Sequence, residues 1–268
     1  MFPVEISGVS PLPDQTIRVT SLDNSRQGRW HVPEETPVAF VYGGRNYAVM
    51  LASPADMVDF ALGFSLSEQI IRQPAEIEHL QIKYRQAGIE LFFQIAPDRV
   101  TRLDVQMRRR NLVGTAGCGI CGLDNANQIL APLKPVADAP ISISKAALEA
   151  AMQDFAASQP LNLRTKSVHG AAWVRNDGQI QQVREDVGRH NALDKLIGAM
   201  VFERLDPTNG FVLMSSRCSF EIIDKAARAK IPAILSLSGP TNLALNKARQ
   251  ANIAIYARDK TGGVKQME

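Results

Sequence analysis

The spacing of apolar and polar positions changes character along this chain. Residues 38–42 and 47–52 are short β-rich runs either side of Gly43-Gly44-Arg45-Asn46, a pattern that predicts a hairpin. Ser53-Pro54 reads as a helix start, with serine as cap and proline at the first helical position. Met57, Phe60, Ala61 and Phe64 follow at three- to four-residue spacing, so the helix is expected to run to about Glu68 with these side chains on one face. Residues 77–84 and 89–95 predict a second hairpin. The first 33 residues carry Pro3, Pro11 and Pro13 and no clear period. They are expected to form an extended arm with one short strand near Thr16 to Thr20.

Beyond a linker-like stretch at 134–139, Ser144 is placed to cap a helix that ends before Pro160. Strands at 171–174 and 180–183 flank a turn at Asp177-Gly178, and 191–204 is a helix with Leu193, Leu196, Ile197, Met200 and Val201 apolar. The last third alternates buried strands (211–214, 234–237, 253–256) with helices (220–230, 241–251). Such alternation indicates a βαβαβ unit with parallel strands. The expected organisation is an arm at 1–33, an α+β part at 34–133 and an α/β domain at 134–268.

Composition adds bounds rather than a function. The 268 residues are 45% hydrophobic and 21% charged, with a formal net charge of +3, so general binding of nucleic acid or other polyanions is not implied. No apolar run approaches the roughly 18 residues of a membrane helix. A secretory leader is not visible, which leads to the expectation of a cytoplasmic protein with reduced thiols.

The chemistry concentrates in Gly-Thr-Ala-Gly-Cys-Gly-Ile-Cys-Gly, residues 114–122, which holds Cys118 and Cys121. Glycine supplies no side chain to bury and carries a high entropic cost on folding. Its value here is bare backbone N–H groups and access to sulfur. Three cysteines in all, the third being Cys218, do not make a disulfide framework. A structural zinc site wants four ligands, and His31, His79, His169 and His190 are scattered. No metal is therefore expected. A thioredoxin-like pair belongs at a strand-to-helix junction near the start of its domain, whereas this one lies mid-chain after Arg108-Arg109-Arg110. A reactive thiolate, its pKa lowered by arginines and glycine N–H groups, is the preferred reading over two buried loop cysteines.

Three loops at expected strand ends are rich in Ser, Gly, Thr or cations: 215–217, 238–241 with Ser238 and Thr241, and 258–263. Helix N-termini of this kind bind phosphate, although Ser and Thr also simply cap helices. Asp186, Arg189 and His190 at the start of another helix carry the same two readings, anion site or cap with a core histidine. Cys218 reads as a small residue at a helix start.

The string from Arg184 to Gly198, Arg-Glu-Asp-Val-Gly-Arg-His-Asn-Ala-Leu-Asp-Lys-Leu-Ile-Gly, together with Cys-Gly-Ile-Cys-Gly, resembles the FdhD family of sulfur-carrier proteins needed for formate dehydrogenase activity. Glu35-Thr-Pro-Val, Ser53-Pro-Ala-Asp, Phe60-Ala-Leu-Gly-Phe, Ser216-Arg-Cys-Ser-Phe-Glu and Ser238-Gly-Pro-Thr-Asn-Leu-Ala extend the resemblance from about residue 34 to 263. The resemblance implies a sulfurtransferase that takes persulfide sulfur from a cysteine desulfurase and passes it to the molybdenum cofactor in its bis(molybdopterin guanine dinucleotide) form, for formate dehydrogenase. It implies Cys118 as carrier with Cys121 as partner. The family's cofactor-binding segment matches Arg258, Asp259, Lys260, Thr261, Gly262 and Gly263, departing from the usual pattern in the first two. A guanine nucleotide is expected to mimic the cofactor. The implied fold is α/β, a cytidine deaminase-like mixed sheet with flanking helices plus a smaller N-terminal α+β part, forming a homodimer. A zinc nucleoside deaminase needs a glutamate after its ligand histidine or cysteine and a Pro-Cys-x-x-Cys. Here His169-Gly-Ala lacks the glutamate and Gly117 precedes Cys118. A chaperone that escorts the cofactor without carrying sulfur is the alternative.

Overall fold

A computed structural model describes residues 2–22, 26–103 and 131–267. Its mixed α/β architecture has two main sheets, one in each half of the chain, joined by a pair of closely packed helices.

The first sheet is ordered β1-β6-β7-β4-β5, from β1 (Val4–Ser7), β4 (Thr36–Tyr42), β5 (Arg45–Ala52), β6 (Ile77–Arg85) and β7 (Gly88–Ile95). Both predicted hairpins form, and β4 and β7 pair in parallel to unite them. Alternation on β4 buries Val38, Phe40 and Tyr42. Helix α1 (Met57–Ser67) covers that face, its Phe60 meeting Phe40 edge-on with ring centroids 5.1 Å apart.

The opening residues hold more strand than their proline content suggests. β1 pairs in parallel with β6, and β2 (Asp14–Thr20) pairs with β3 (Gln27–Pro33) as a separate hairpin. Helix α1 begins later than expected. Its N-cap is Asp56, and Ser53 serves long-range contacts instead. The Ser53 N–H donates to Asp186 at 3.0 Å, while its Oγ accepts from the Val187 N–H at 3.1 Å. The second of these bonds occupies the hydroxyl oxygen that a helix cap would use.

The second sheet is ordered β13-β12-β11-β10-β8-β9, from β8 (His169–Arg175), β9 (Ile180–Asp186), β10 (Gly210–Met214), β11 (Ala233–Ser236), β12 (Ala254–Arg258) and β13 (Val264–Met267). β10, β11 and β12 are parallel, as the alternation predicts. β13 was not evident from the sequence and adds an antiparallel edge. Helices α4 (Arg189–Phe202), α5 (Phe220–Arg228) and α6 (Asn242–Ala251) contribute to the core on one face. Helix α2 (Lys145–Phe155) packs on the other. Pro160, expected beyond a helix end, also opens a further short helix, α3 (Pro160–Thr165), as its fixed φ and missing N–H allow.

The halves meet where α1 crosses α4. A Cβ on Gly63 would collide with the Asp194 carbonyl, and one on Gly198 with the Asp59 carbonyl. Two backbones approach this closely only without side chains between them. Charges cross the same seam: Arg184 to Asp59 at 2.7 Å and Lys225 to Glu68 at 3.2 Å. Among the described residues, no helix is long and apolar enough to cross a membrane.

Candidate functional site

Three parallel strands bring their carboxyl ends to one edge of the larger sheet, the usual place for a ligand in such sheets. Because β8 runs antiparallel to β10 and β9 antiparallel to β8, the start of β8 and the end of β9 arrive at the same edge. His169 there pairs with Asp186. Helices α4, α5 and α6 also begin at this edge, directing N–H groups and the positive ends of their dipoles toward it. The topology thus gathers Arg189, His190, Ser238, Thr241 and the segment Arg258–Gly263 at one edge, although they span much of the second half of the sequence.

Each group has a definite local job or a free valence. Thr241 caps α6, its Oγ1 accepting from the Ala244 N–H at 3.2 Å. The Ser236 hydroxyl lies 2.6 Å from the Ser216 carbonyl and also reaches that of Ser238, tying two loops together. The Thr241 N–H donates to the Cys218 carbonyl at 3.0 Å, linking the same loops. Gly239 between them has no atom within 4 Å of where a Cβ would stand, so its bare backbone faces open space.

Asp259 shapes the turn between β12 and β13. Its carboxylate accepts from the Thr261 hydroxyl at 2.6 Å, the Thr261 N–H at 2.8 Å and the Gly263 N–H at 2.9 Å. These bonds, the Thr261 hydroxyl foremost, hold the Asp259 carboxyl below the usual carboxylate range. Gly262 has φ +88°, which favours glycine. Asp259 and Thr261 therefore build the turn, which leaves Arg258 and Lys260, both exposed, as its available cations.

Asp186 is wholly buried. It accepts from the N–H groups of Ser53 and Gly188 and from the Asn191 amide, and it pairs with Lys195. Asp186 therefore neutralises Lys195 and ties down the approach to α4, whose N-cap is Gly188 with no side-chain cap bond. The two residues presented next are left without partners. Arg189 Nε and His190 Nε2 are buried polar atoms with no hydrogen bond, as is Ser219 Oγ at the cap of α5. Such orphans are costly and rare in proteins. Burial pushes the His190 pKa down to about 4, with the Arg189 charge adding to the effect. Burial likewise lowers His169. Both imidazoles are neutral at pH 7, so positive charge at the α4 start resides on Arg189. An anionic ligand at this edge would meet a guanidinium, neutral imidazole, a hydroxyl and helix N-termini.

Ser219 was not singled out from the sequence, although it lies in the Ser216–Glu221 run that was. The Lys225–Asp194 pair carried no sequence signal, since its partners are 31 residues apart along the chain. Cys218 has the structural role expected of it. It is buried in the core on the helix-covered face of the larger sheet, and burial raises its thiol to about 12, so it is no nucleophile. Cys118 and Cys121 lie outside the described residues, as do Arg108–Arg110. On either side of that segment, Leu103 is buried in the core of the smaller sheet and the Ala131 carbonyl accepts from Lys247. Among the described residues no cluster of three or more His, Cys, Asp or Glu could hold a metal.

Comparison with known proteins covers almost all of this framework. The model of the FdhD/NarQ family matches residues 33–265. A protein of Xanthomonas euvesicatoria pv. vesicatoria named sulfur carrier protein FdhD is 44% identical over 230 residues, covering 85% of this chain and 81% of that one. A protein of Bordetella petrii with the same name is 44% identical over 225 residues, covering 84% and 80%. In fold, the chain is similar to a crystal structure from Desulfotalea psychrophila provisionally described as a formate dehydrogenase accessory protein. The TM-score is 0.70 at 23% identity, covering 96% of this chain and 97% of that one.

Proposed function

The chain belongs to the FdhD/NarQ family, and on that premise we propose that it is a sulfur carrier serving formate dehydrogenase. The observation that carries this reading is the name sulfur carrier protein, held by relatives 44% identical across 85% of the chain. In this reading the Cys118 thiolate attacks the outer sulfur of a persulfide on a cysteine desulfurase. A sulfur–sulfur bond forms on Cys118 and the donor cysteine leaves as thiolate. Cys118 would then hand that outer sulfur to the molybdenum cofactor with its guanine dinucleotides: the acceptor supplies the electron pair for the new bond to sulfur, the sulfur–sulfur bond breaks, and Cys118 leaves as thiolate. Cys121 assists release. The protein works as a cytoplasmic homodimer, twice its 29.3 kDa chain mass on a sizing column. The hairpin β8–β9 followed by three parallel strands supports a cytidine deaminase-like larger domain.

The carboxyl edge suits the nucleotide end of that cargo. Its phosphates would meet Arg189, Arg258, Lys260 and the N–H groups at the starts of α4–α6. The unpartnered Arg189 Nε, His190 Nε2 and Ser219 Oγ supply hydrogen-bonding capacity that the protein itself leaves unused. Gly239→Val places a side chain where no protein atom stands within 4 Å of the Cβ. It should leave stability within about 0.5 kcal/mol of the parent while weakening GDP, used as the probe, at least tenfold by calorimetry. Unchanged GDP affinity would place the nucleotide elsewhere. In cells, Cys118→Ala should abolish formate dehydrogenase activity and Cys218→Ala should retain it. Full activity with Cys118→Ala would favour the cofactor-escorting chaperone that carries no sulfur.

A further inference from the structure

The opposite edge of the larger sheet holds a cavity of about 550 Å³, within the range of small-molecule sites. It lies where α1, α4 and α5 end. Lys230 on its rim shortly precedes β11, and Leu205 shortly precedes β10, so this is the amino edge. Its apolar lining includes Leu66, Ile70, Ile71, Met200 and Leu205. Its polar lining includes five cations, Arg72, Arg99, Arg102, Arg228 and Lys230, and among the described residues no carboxylate.

Two of those cations are already engaged. Arg228 donates to the Ser67 carbonyl at 2.5 Å and pairs with Asp224 at 2.6 Å, satisfying the end of α1 as a cation at a helix C-terminus does. Arg99 pairs with Glu76 at 2.7 Å through one terminal nitrogen. The remainder is unspent. Arg99 is only 4% exposed, and its Nε has no acceptor. Arg72, Arg102 and Lys230 are exposed on the rim, and among the described residues their side chains meet no acceptor. Balancing helix ends accounts for Arg228. It does not account for a buried guanidinium donor left open beside three further cations, because an unmade buried hydrogen bond costs more than a made one gains.

We infer that this cavity binds an amphipathic organic anion, with a carboxylate or phosphate head among Arg72, Arg99, Arg102 and Lys230 and an apolar body against Ile70, Ile71 and Met200. The site is separate from the nucleotide edge, with α4 and α5 running between them. Leu103 lines it and leads into the segment that carries both cysteines, so a ligand there sits at the root of that segment.

The probe is 8-anilinonaphthalene-1-sulfonate, an apolar body with one anionic head, titrated into the full chain and followed by fluorescence. It should bind at one saturable site. Octanoate or octyl phosphate should displace it, the stronger of the two identifying the preferred head. Octanol and inorganic phosphate should not, since each lacks half of the required chemistry. Arg99 variants risk misfolding through loss of the Glu76 pair, so the exposed pair Arg102→Ala/Lys230→Ala is the informative one. It should melt like the parent and bind octanoate at least tenfold more weakly. Gly239→Val should leave probe binding unchanged. Displacement by octanol as strong as by octanoate, displacement by GDP, or unaltered octanoate affinity in the double variant would each overturn the inference.

Discussion

His190 shows how far one side chain's surroundings set its behaviour. It is the second residue of α4, held beside Arg189 by an anchored helix start, and burial keeps its pKa near 4 rather than the usual 6.5. The native state therefore refuses a proton that the unfolded chain accepts below pH 6.5. Stability from this group is intact above pH 6.5 and declines as pH falls toward 4. The full loss is about 3 kcal/mol for a shift of this size. Urea unfolding at pH 7 and pH 4 measures it. His190→Gln, which cannot titrate, should lose about 3 kcal/mol less than the parent over that interval. Equal losses in the two proteins would show that His190 is not held neutral. The orphaned Nε2 also makes this histidine ready to bond a ligand, which joins its pH behaviour to the site.

Between elements, the decisive contact is the crossing of α1 and α4, because it fixes the helix that presents Arg189 and His190. Gly63 and Gly198 each stand where a Cβ would strike the other helix's backbone, and backbone cannot rotate aside as a side chain can. Gly63→Ala should therefore cost at least 2–3 kcal/mol, the upper range for overpacking, and lower the thermal midpoint by several degrees. A melt unchanged from the parent would mean that the helices are not so closely seated. Nothing local marks these glycines. The periodicity of Met57, Phe60, Ala61 and Phe64 announces a helix with one buried face, and that much was legible. That Gly63 faces a second helix far along the sequence was not. The start of α1 departs from its local signal for the same reason. Ser53-Pro54 has local cap chemistry, but Asp186 and Val187 claim the serine. The parallel strands β10–β12 were legible because their apolar runs are continuous and the helices between them amphipathic. β13 was not, since its four residues are mostly solvated and paired on one side only. The candidate site's loops were legible as motifs, and the topology brings them to one edge, whereas the orphaned donors depend on which atoms tertiary packing leaves without partners.

At the scale of the whole molecule, two edges of one sheet differ in chemistry. The carboxyl edge presents helix N-termini, neutral histidines and unused donors, the chemistry that the proposed phosphate-bearing cargo would need. The amino edge offers a cation-rimmed apolar cavity beside the residue that leads into the cysteine segment. The proposed function turns on sulfur carried on Cys118. The most direct test is the intact mass of the purified protein after incubation with a cysteine desulfurase and cysteine, read with and without dithiothreitol. A persulfide adds one sulfur, about 32 Da, reversibly. The sulfur-carrier account predicts that gain in the parent, its removal by dithiothreitol and its absence in Cys118→Ala. No gain with a desulfurase that is demonstrably active, or an undiminished gain in Cys118→Ala, would contradict it.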